Sequence, residues 1–360
     1  MATEYSLTIA GQPYFGSSRE RDVQVFYTEP EEGVNLDTGI LLLISGFEGD
    51  TGANVYKKMR MEFSDRENLV VVQCDYFGYQ FMGSQTMKEV HEIMMRLAKE
   101  LGDMQRGGEP LPEEALTERL QQEESQDDFC ELGIFQALDN LRALKGVMEM
   151  LACRGADYNV NRIMAYGYSH GAYLALLCNA LRPHLFSGIL DNSGWVYPVY
   201  LYRPRICSGL WSDNSTGQSK KLYVFLGYQG RQWIDDLEVY NLRRLYSQFQ
   251  NHARILSFHG EDDGLVPLEE KVRFGDGVDN LRLYVIREGD VDEKIFHNTQ
   301  HGMGSDFLRL FYFVSSIDDM TREEPLDQEG RERMWEGREF ASRKYRYLLS
   351  EELELTRLAR

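Results

Sequence analysis

The chain has 360 residues, 42% hydrophobic and 12% aromatic, which suits a large buried core, as one α/β domain with insertions or as two domains, and excludes a disordered chain. Its 39 Lys and Arg stand against 58 Asp and Glu, a net charge of −19 with no basic cluster, which argues against nucleic acid and anionic membranes as partners. No apolar run has the length of a membrane span, and Met1-Ala2-Thr3-Glu4-Tyr5 lacks the basic and apolar regions of a signal peptide. The five cysteines are scattered and form no CxxC pair, as expected of free thiols in a reducing, cytoplasmic setting.

In chain order, Tyr5 to Ile9 and Asp22 to Tyr27 alternate apolar and polar residues and read as two antiparallel strands. The short apolar runs Ile40 to Ile44 and Leu69 to Cys74 read as buried parallel strands, with a helix over Ala53 to Phe63 between them. A helix is predicted over Gln85 to Leu101, and its methionines are read as core packing. Residues 102–128 change to Gly, Pro, Glu, Gln and Asp and read as an acidic, exposed insertion. Phe129 to Leu151 has helical spacing of apolar residues. The strand Arg162 to Tyr166 then leads to a helix reaching Leu181, and Ser187 to Leu190 is the next strand. Trp195 to Gly217 is rich in aromatics and keeps neither period. Beyond it, Lys221 to Leu226 reads as a strand and Ile234 to Phe249 as a helix. Strands follow at Arg254 to Phe258 and Leu281 to Ile286, with helices over Phe307 to Ile317 and much of Gln328 to Ala359. Alternating strands and helices imply a parallel sheet covered on both faces.

Between a strand and a helix lies Gly167-Tyr168-Ser169-His170-Gly171. This is the layout of a nucleophile elbow, a sharp turn that lifts a serine hydroxyl out of the backbone. Such a serine needs a base, a carboxylate to orient that base, and N–H donors for a developing oxyanion. His301, in Gln300-His301-Gly302 before a helix, is the candidate base, with His297 a local rival. Carboxylates follow a strand at Asp262 and Asp263, and Asp191 ends the strand after the elbow. The oxyanion donors are expected from the backbone N–H of His170, after the nucleophile, and from Phe47 in Ser45-Gly46-Phe47-Glu48-Gly49, with Glu48 the alternative.

Over roughly residues 38–317 the chain resembles the α/β-hydrolase superfamily. His259-Gly260-Glu261-Asp262-Asp263-Gly264-Leu265-Val266-Pro267 resembles the family's acid turn, which selects Asp263 as triad acid, with Asp191 the runner-up. The chain order Ser169, Asp263, His301 is that of the fold. The early loop departs from the family's frequent His-Gly, having Ser45-Gly46. The segment from Phe129 to Asp139 resembles an uncharacterised bacterial subfamily without an established substrate. The resemblance implies a mostly parallel sheet of about eight strands flanked by helices. It also implies a hydrolase domain over residues 1–320, with a cap after the sixth strand (residues 195–250) and the 102–128 insertion.

Trp195 and Tyr197, with other cap aromatics, either line an apolar or sugar-stacking substrate pocket or pack the cap. Residues 321–360 are expected to be a charged helical extension, either an oligomerisation arm or a helix packed on the domain. The implied activity is serine hydrolysis of a small carboxylic ester, such as an acyl or acetyl ester of a carbohydrate or metabolite, without cofactor or metal. A peptidase or amidase of the prolyl-peptidase kind, and a non-catalytic binding protein on the same fold, are the other readings.

Overall fold

The structure, a computed structural model, describes residues 1–213, 215–228 and 230–360. From the N-terminus run β1 (Thr3–Gly11), β2 (Arg21–Glu29), β3 (Gly39–Ile44), α1 (Asn54–Glu67), β4 (Leu69–Cys74), α2 (Ser84–Arg106), β5 (Leu116–Gln121), α3 (Ile134–Cys153) and β6 (Ile163–Tyr168). The chain continues through α4 (His170–Leu181), β7 (Gly188–Asn192), β8 (Arg205–Ser212), β9 (Ser219–Gly227), α5 (Leu242–Tyr246), β10 (Arg254–Gly260), α6 (Leu268–Gly275), β11 (Leu281–Ile286) and α7 (Phe307–Ile317). It ends in α8 (Gln328–Arg333), β12 (Arg338–Ala341), β13 (Tyr345–Leu349) and β14 (Leu355–Ala359).

Eight strands form the central sheet in the order β1-β2-β4-β3-β6-β7-β10-β11. β1 and β2 pair antiparallel, as does β2 with β4; every later pair is parallel. This is the expected α/β-hydrolase fold. Every residue of β3 and β4 is buried because helices cover both faces, so these strands read as unbroken apolar runs. The period of two still sorts them. Ile40, Leu42 and Ile44 meet the α3 and α4 side, whereas Leu41 and Leu43 meet Tyr56, Met59 and Phe63 of α1 and Leu310 and Phe311 of α7. Among the described residues no helix is long and apolar enough to cross a membrane.

The cap departs from expectation. Residues 102–128 are largely exposed, but they also complete α2 and supply β5, which pairs in parallel with β9, while β8 pairs antiparallel with β9. α2 closes this three-stranded sheet, burying Val90, Leu97 and Leu101 against Leu222, Val224 and Leu226. The cap is thus built from two insertions, one before α3 and one after β7, the sixth strand of the central sheet. The helix predicted over 234–249 shrinks to the single turn of α5, preceded by a short 3-10 turn at Glu238–Tyr240.

The tail is a second correction. Only α8 is helical, and β12, β13 and β14 make an antiparallel sheet of their own. Glu, Arg and Leu favour helices, but β13 alternates buried Tyr347 and Leu349 with exposed neighbours, and Phe340, Tyr347, Leu349 and Leu355 are buried in the main core, where tertiary burial overrides weak local propensity. The tail is tied down by Arg142 donating to the Leu353 carbonyl (3.0 Å) and Tyr347 donating to Asp236 (2.7 Å).

Candidate active site

β6 ends at Tyr168, α4 begins at His170, and Ser169 between them sits at φ 53°, ψ −115°. That is a strained conformation for a residue with a Cβ. Two close approaches make the turn possible. A Cβ on Gly167 would come within 2.3 Å of the Ala172 nitrogen, and one on Gly171 within 2.2 Å of the Ile44 carbonyl oxygen. The glycines let α4 start directly against β3, which aims the first N–H groups of α4 at the space beside the serine hydroxyl.

His301 comes to the same point from the loop before α7. Its Nε2 lies 2.7 Å from Ser169 Oγ, and its Nδ1 lies 2.7 Å from Asp263 Oδ2. Asp263 Oδ1 accepts from the N–H groups of Leu265 (2.8 Å) and Val266 (2.9 Å). Burial alone would raise the Asp263 pKa; the hydrogen bond and charge of His301 and the Val266 amide outweigh it, and the carboxyl is held below its usual value. The carboxylate therefore stays ionised and accepts the Nδ1 proton, leaving Nε2 free to accept from the serine hydroxyl.

The loops are held from the end of β7. The Asn192 carbonyl accepts from the Ser169 N–H (2.8 Å), Ser193 Oγ accepts from the Gly302 N–H (3.1 Å), and Asn192 Nδ2 donates to Ser305 (2.7 Å). Sequence reasoning missed these residues, although the polar run Asp191-Asn192-Ser193 after an apolar strand was the signal for them. Asp191, the runner-up acid, points elsewhere. It is buried and accepts from Lys271 Nζ (2.6 Å), Ser257 Oγ (2.7 Å) and the Gly194 N–H (2.7 Å). Asp262 accepts from Thr299 and lies outside the relay. His259 shapes the acid loop: its Nε2–H donates to the Val266 carbonyl (3.0 Å), and burial, with Lys271 nearby, pushes its pKa down to about 4. His297 is partly exposed beside Glu293.

On the other side of Ser169 lies the loop after β3. The Glu48 N–H is donated to the Met82 carbonyl (3.0 Å). The Phe47 ring lies over the elbow among His170 (6.3 Å between ring centres), Trp195 (6.3 Å), Tyr200 (5.1 Å) and Tyr228 (6.0 Å). His170 is buried and kept neutral, its pKa pushed down by burial to about 3. Gln136 spends its amide nitrogen on the Phe77 carbonyl and turns its oxygen to His170 Nε2 (2.7 Å), so that nitrogen carries the proton.

The cap aromatics divide. Trp195 is fully buried against His170 (4.8 Å) and Tyr200 (5.3 Å), beside the elbow. Tyr197 instead stacks edge-on to Tyr202 (5.5 Å). Trp211 packs within the cap and Trp233 against Phe129 (5.1 Å).

Two family profiles match the chain. Residues 53–203 match the family described as Protein of unknown function (DUF2920), and residues 143–317 match the Prolyl oligopeptidase family. No curated protein matches the sequence. Among solved structures, the chain is similar to Est1E from Butyrivibrio proteoclasticus at 12% identity and a TM-score of 0.47, covering 86% of this chain and 97% of that one. It is also similar to the Pyrococcus horikoshii acylaminoacyl peptidase at 15% identity and a TM-score of 0.49, covering 92% of this chain but only 44% of that one. A third similarity is to the dienelactone hydrolase from Anabaena variabilis, at 12% identity and a TM-score of 0.43, covering 89% and 96%.

Proposed function

We propose that the chain is a serine hydrolase of the α/β-hydrolase superfamily and that it cleaves a carboxylic ester through an acyl-enzyme on Ser169. His301 Nε2 takes the hydroxyl proton as Ser169 Oγ attacks the carbonyl carbon. Asp263 holds the imidazole in the required tautomer and stabilises the imidazolium. The tetrahedral oxyanion is stabilised by the N–H groups of His170 and Phe47, the latter chosen because the Glu48 N–H is already donated to Met82. His301 then protonates the leaving alkoxide, activates a water, and the acid departs.

The observation that supports this reading is the unbroken relay from Ser169 Oγ through His301 to Asp263, with both contacts at 2.7 Å. Aromatic side chains beside the elbow and a cap on both flanks fit a small acyl or acetyl ester of a metabolite or carbohydrate. The cysteines are all unpaired, which fits a cytoplasmic location. A fluorophosphonate probe, together with hydrolysis of a p-nitrophenyl ester, tests the mechanism. The wild type is expected to be labelled at Ser169 and to turn over, and Ser169→Ala to do neither; turnover retained by the variant refutes the mechanism.

A second reading, peptide or amide cleavage, is favoured by the Prolyl oligopeptidase profile over 143–317. Matched ester and anilide substrates separate the two, since faster cleavage of the anilide would reverse the order.

A further inference from the structure

The loop proposed to donate the second oxyanion N–H is gripped by the cap rather than by the central sheet alone. Arg205, the first residue of β8, forms an ion pair with the Glu48 carboxylate. Its guanidinium also lies over the Phe47 ring, 4.7 Å from the ring centre, and 5.6 Å from that of Tyr200. One side chain of the cap therefore engages both residues flanking the 47–48 peptide bond, by charge on one side and by stacking on the other. A second grip comes from the other insertion, where the Met82 carbonyl, just before α2, accepts the Glu48 N–H at 3.0 Å.

The loop needs such restraint. Glu48 has φ 74°, in the left-handed region that residues with a side chain rarely adopt, and it holds only where surroundings impose it. Glu48 is also partly exposed, so burial alone does not keep it there.

We propose that Arg205 is a positioning residue of the hydrolase: it clasps Phe47 and Glu48 so that the Phe47 N–H points at the oxyanion, making the cap part of the transition-state site. This rests on the serine-hydrolase mechanism proposed above. Arg205 touches no reacting atom in this scheme; it acts through the loop.

The test compares the wild type with Arg205→Met and Arg205→Lys, using p-nitrophenyl acetate and an alkyl trifluoromethyl ketone, which forms a tetrahedral adduct on the serine. Removing one oxyanion donor costs about 10²–10³ in kcat. Displacing one is expected to cost about ten- to a hundred-fold in Arg205→Met, with KM changed less than about threefold. The ketone's inhibition constant should rise in parallel with the fall in kcat/KM. Arg205→Lys, which keeps the charge but loses the planar stack, should fall between. Should Arg205→Met fail to fold, Glu48→Ala removes the ion-paired half of the same clasp and should give the same pattern at a smaller size, because the Phe47 stack remains.

Unchanged kcat and ketone affinity in a folded variant would overturn the proposal. So would a rise in KM alone, which would make Arg205 a substrate contact. Absence of turnover and of Ser169 labelling in the wild type would instead remove the hydrolase reading, and this inference with it.

Discussion

Lys271 and Asp191 form an ion pair 2.6 Å long in the interior, with both side chains almost fully buried. The pair joins the end of β7 to α6, the helix after the acid loop. It occupies a carboxylate that sequence order alone leaves eligible as partner of His301, and it separates two otherwise similar aspartates by environment.

Substitution separates them by readout. Asp263→Asn should keep the fold and lower kcat about 10⁴-fold, because the imidazole loses its tautomer. Lys271→Met should instead lower stability by about 3–5 kcal/mol, since it strands a buried charge, whereas the double replacement Asp191→Leu with Lys271→Met should recover much of that loss. Urea denaturation and ester kinetics on the three proteins check this. A folded Lys271→Met variant with wild-type stability would contradict it.

The elbow tolerates no added methyl group. Gly171→Ala should destabilise by more than about 4 kcal/mol or prevent soluble expression, because its Cβ meets the rigid carbonyls of Ile44 and Ser45 at 2.2 and 2.6 Å. Gly289→Ala, which meets nothing within 4 Å, should stay within about 0.5 kcal/mol of wild type. Thermal melts of both give the comparison.

Glu131 should make stability fall as pH rises. It is fully buried at the start of α3, accepting from the N–H groups of Gly133 (2.9 Å) and Phe135 (3.1 Å) and from the Tyr240 hydroxyl. Burial pushes its pKa from 4.5 up to about 7. Below pH 4.5 both folded and unfolded chains hold the proton. Above that the unfolded chain releases it first, so its contribution is lost as pH climbs to about 7, by roughly 3 kcal/mol in all. Glu131→Gln should flatten that part of the profile between pH 5 and 8. An unaltered slope in urea titrations would refute the assignment.

A chain ending at Asp319 should melt at a lower temperature or aggregate, because the main core loses Phe340, Tyr347, Leu349 and Leu355. Gel filtration and thermal scans of the shortened protein check this, and an unchanged melting temperature would mean that the tail does not contribute to the core.

The central sheet and the three chemistry-bearing loops are legible because each is written locally. An apolar run, a Gly-x-Ser-x-Gly turn and a post-strand Asp or His each occupy a few consecutive residues. The helix predicted over 234–249 fails because apolar spacing there serves packing in short turns. The tail strands are hidden because their charged exposed faces use residues with good helix propensity.

Taken alone, the amino-acid sequence determines the sheet class, the strained serine turn and the order of serine, acid and histidine, since these depend on neighbours a few residues apart. Tertiary structure alone decides that Lys271 takes up Asp191, that β5 joins β9 across about a hundred residues to make one cap, and that Arg205 reaches back to Phe47 and Glu48. Those outcomes depend on burial and charge pairing between distant segments, and no local pattern encodes which partner will be within reach.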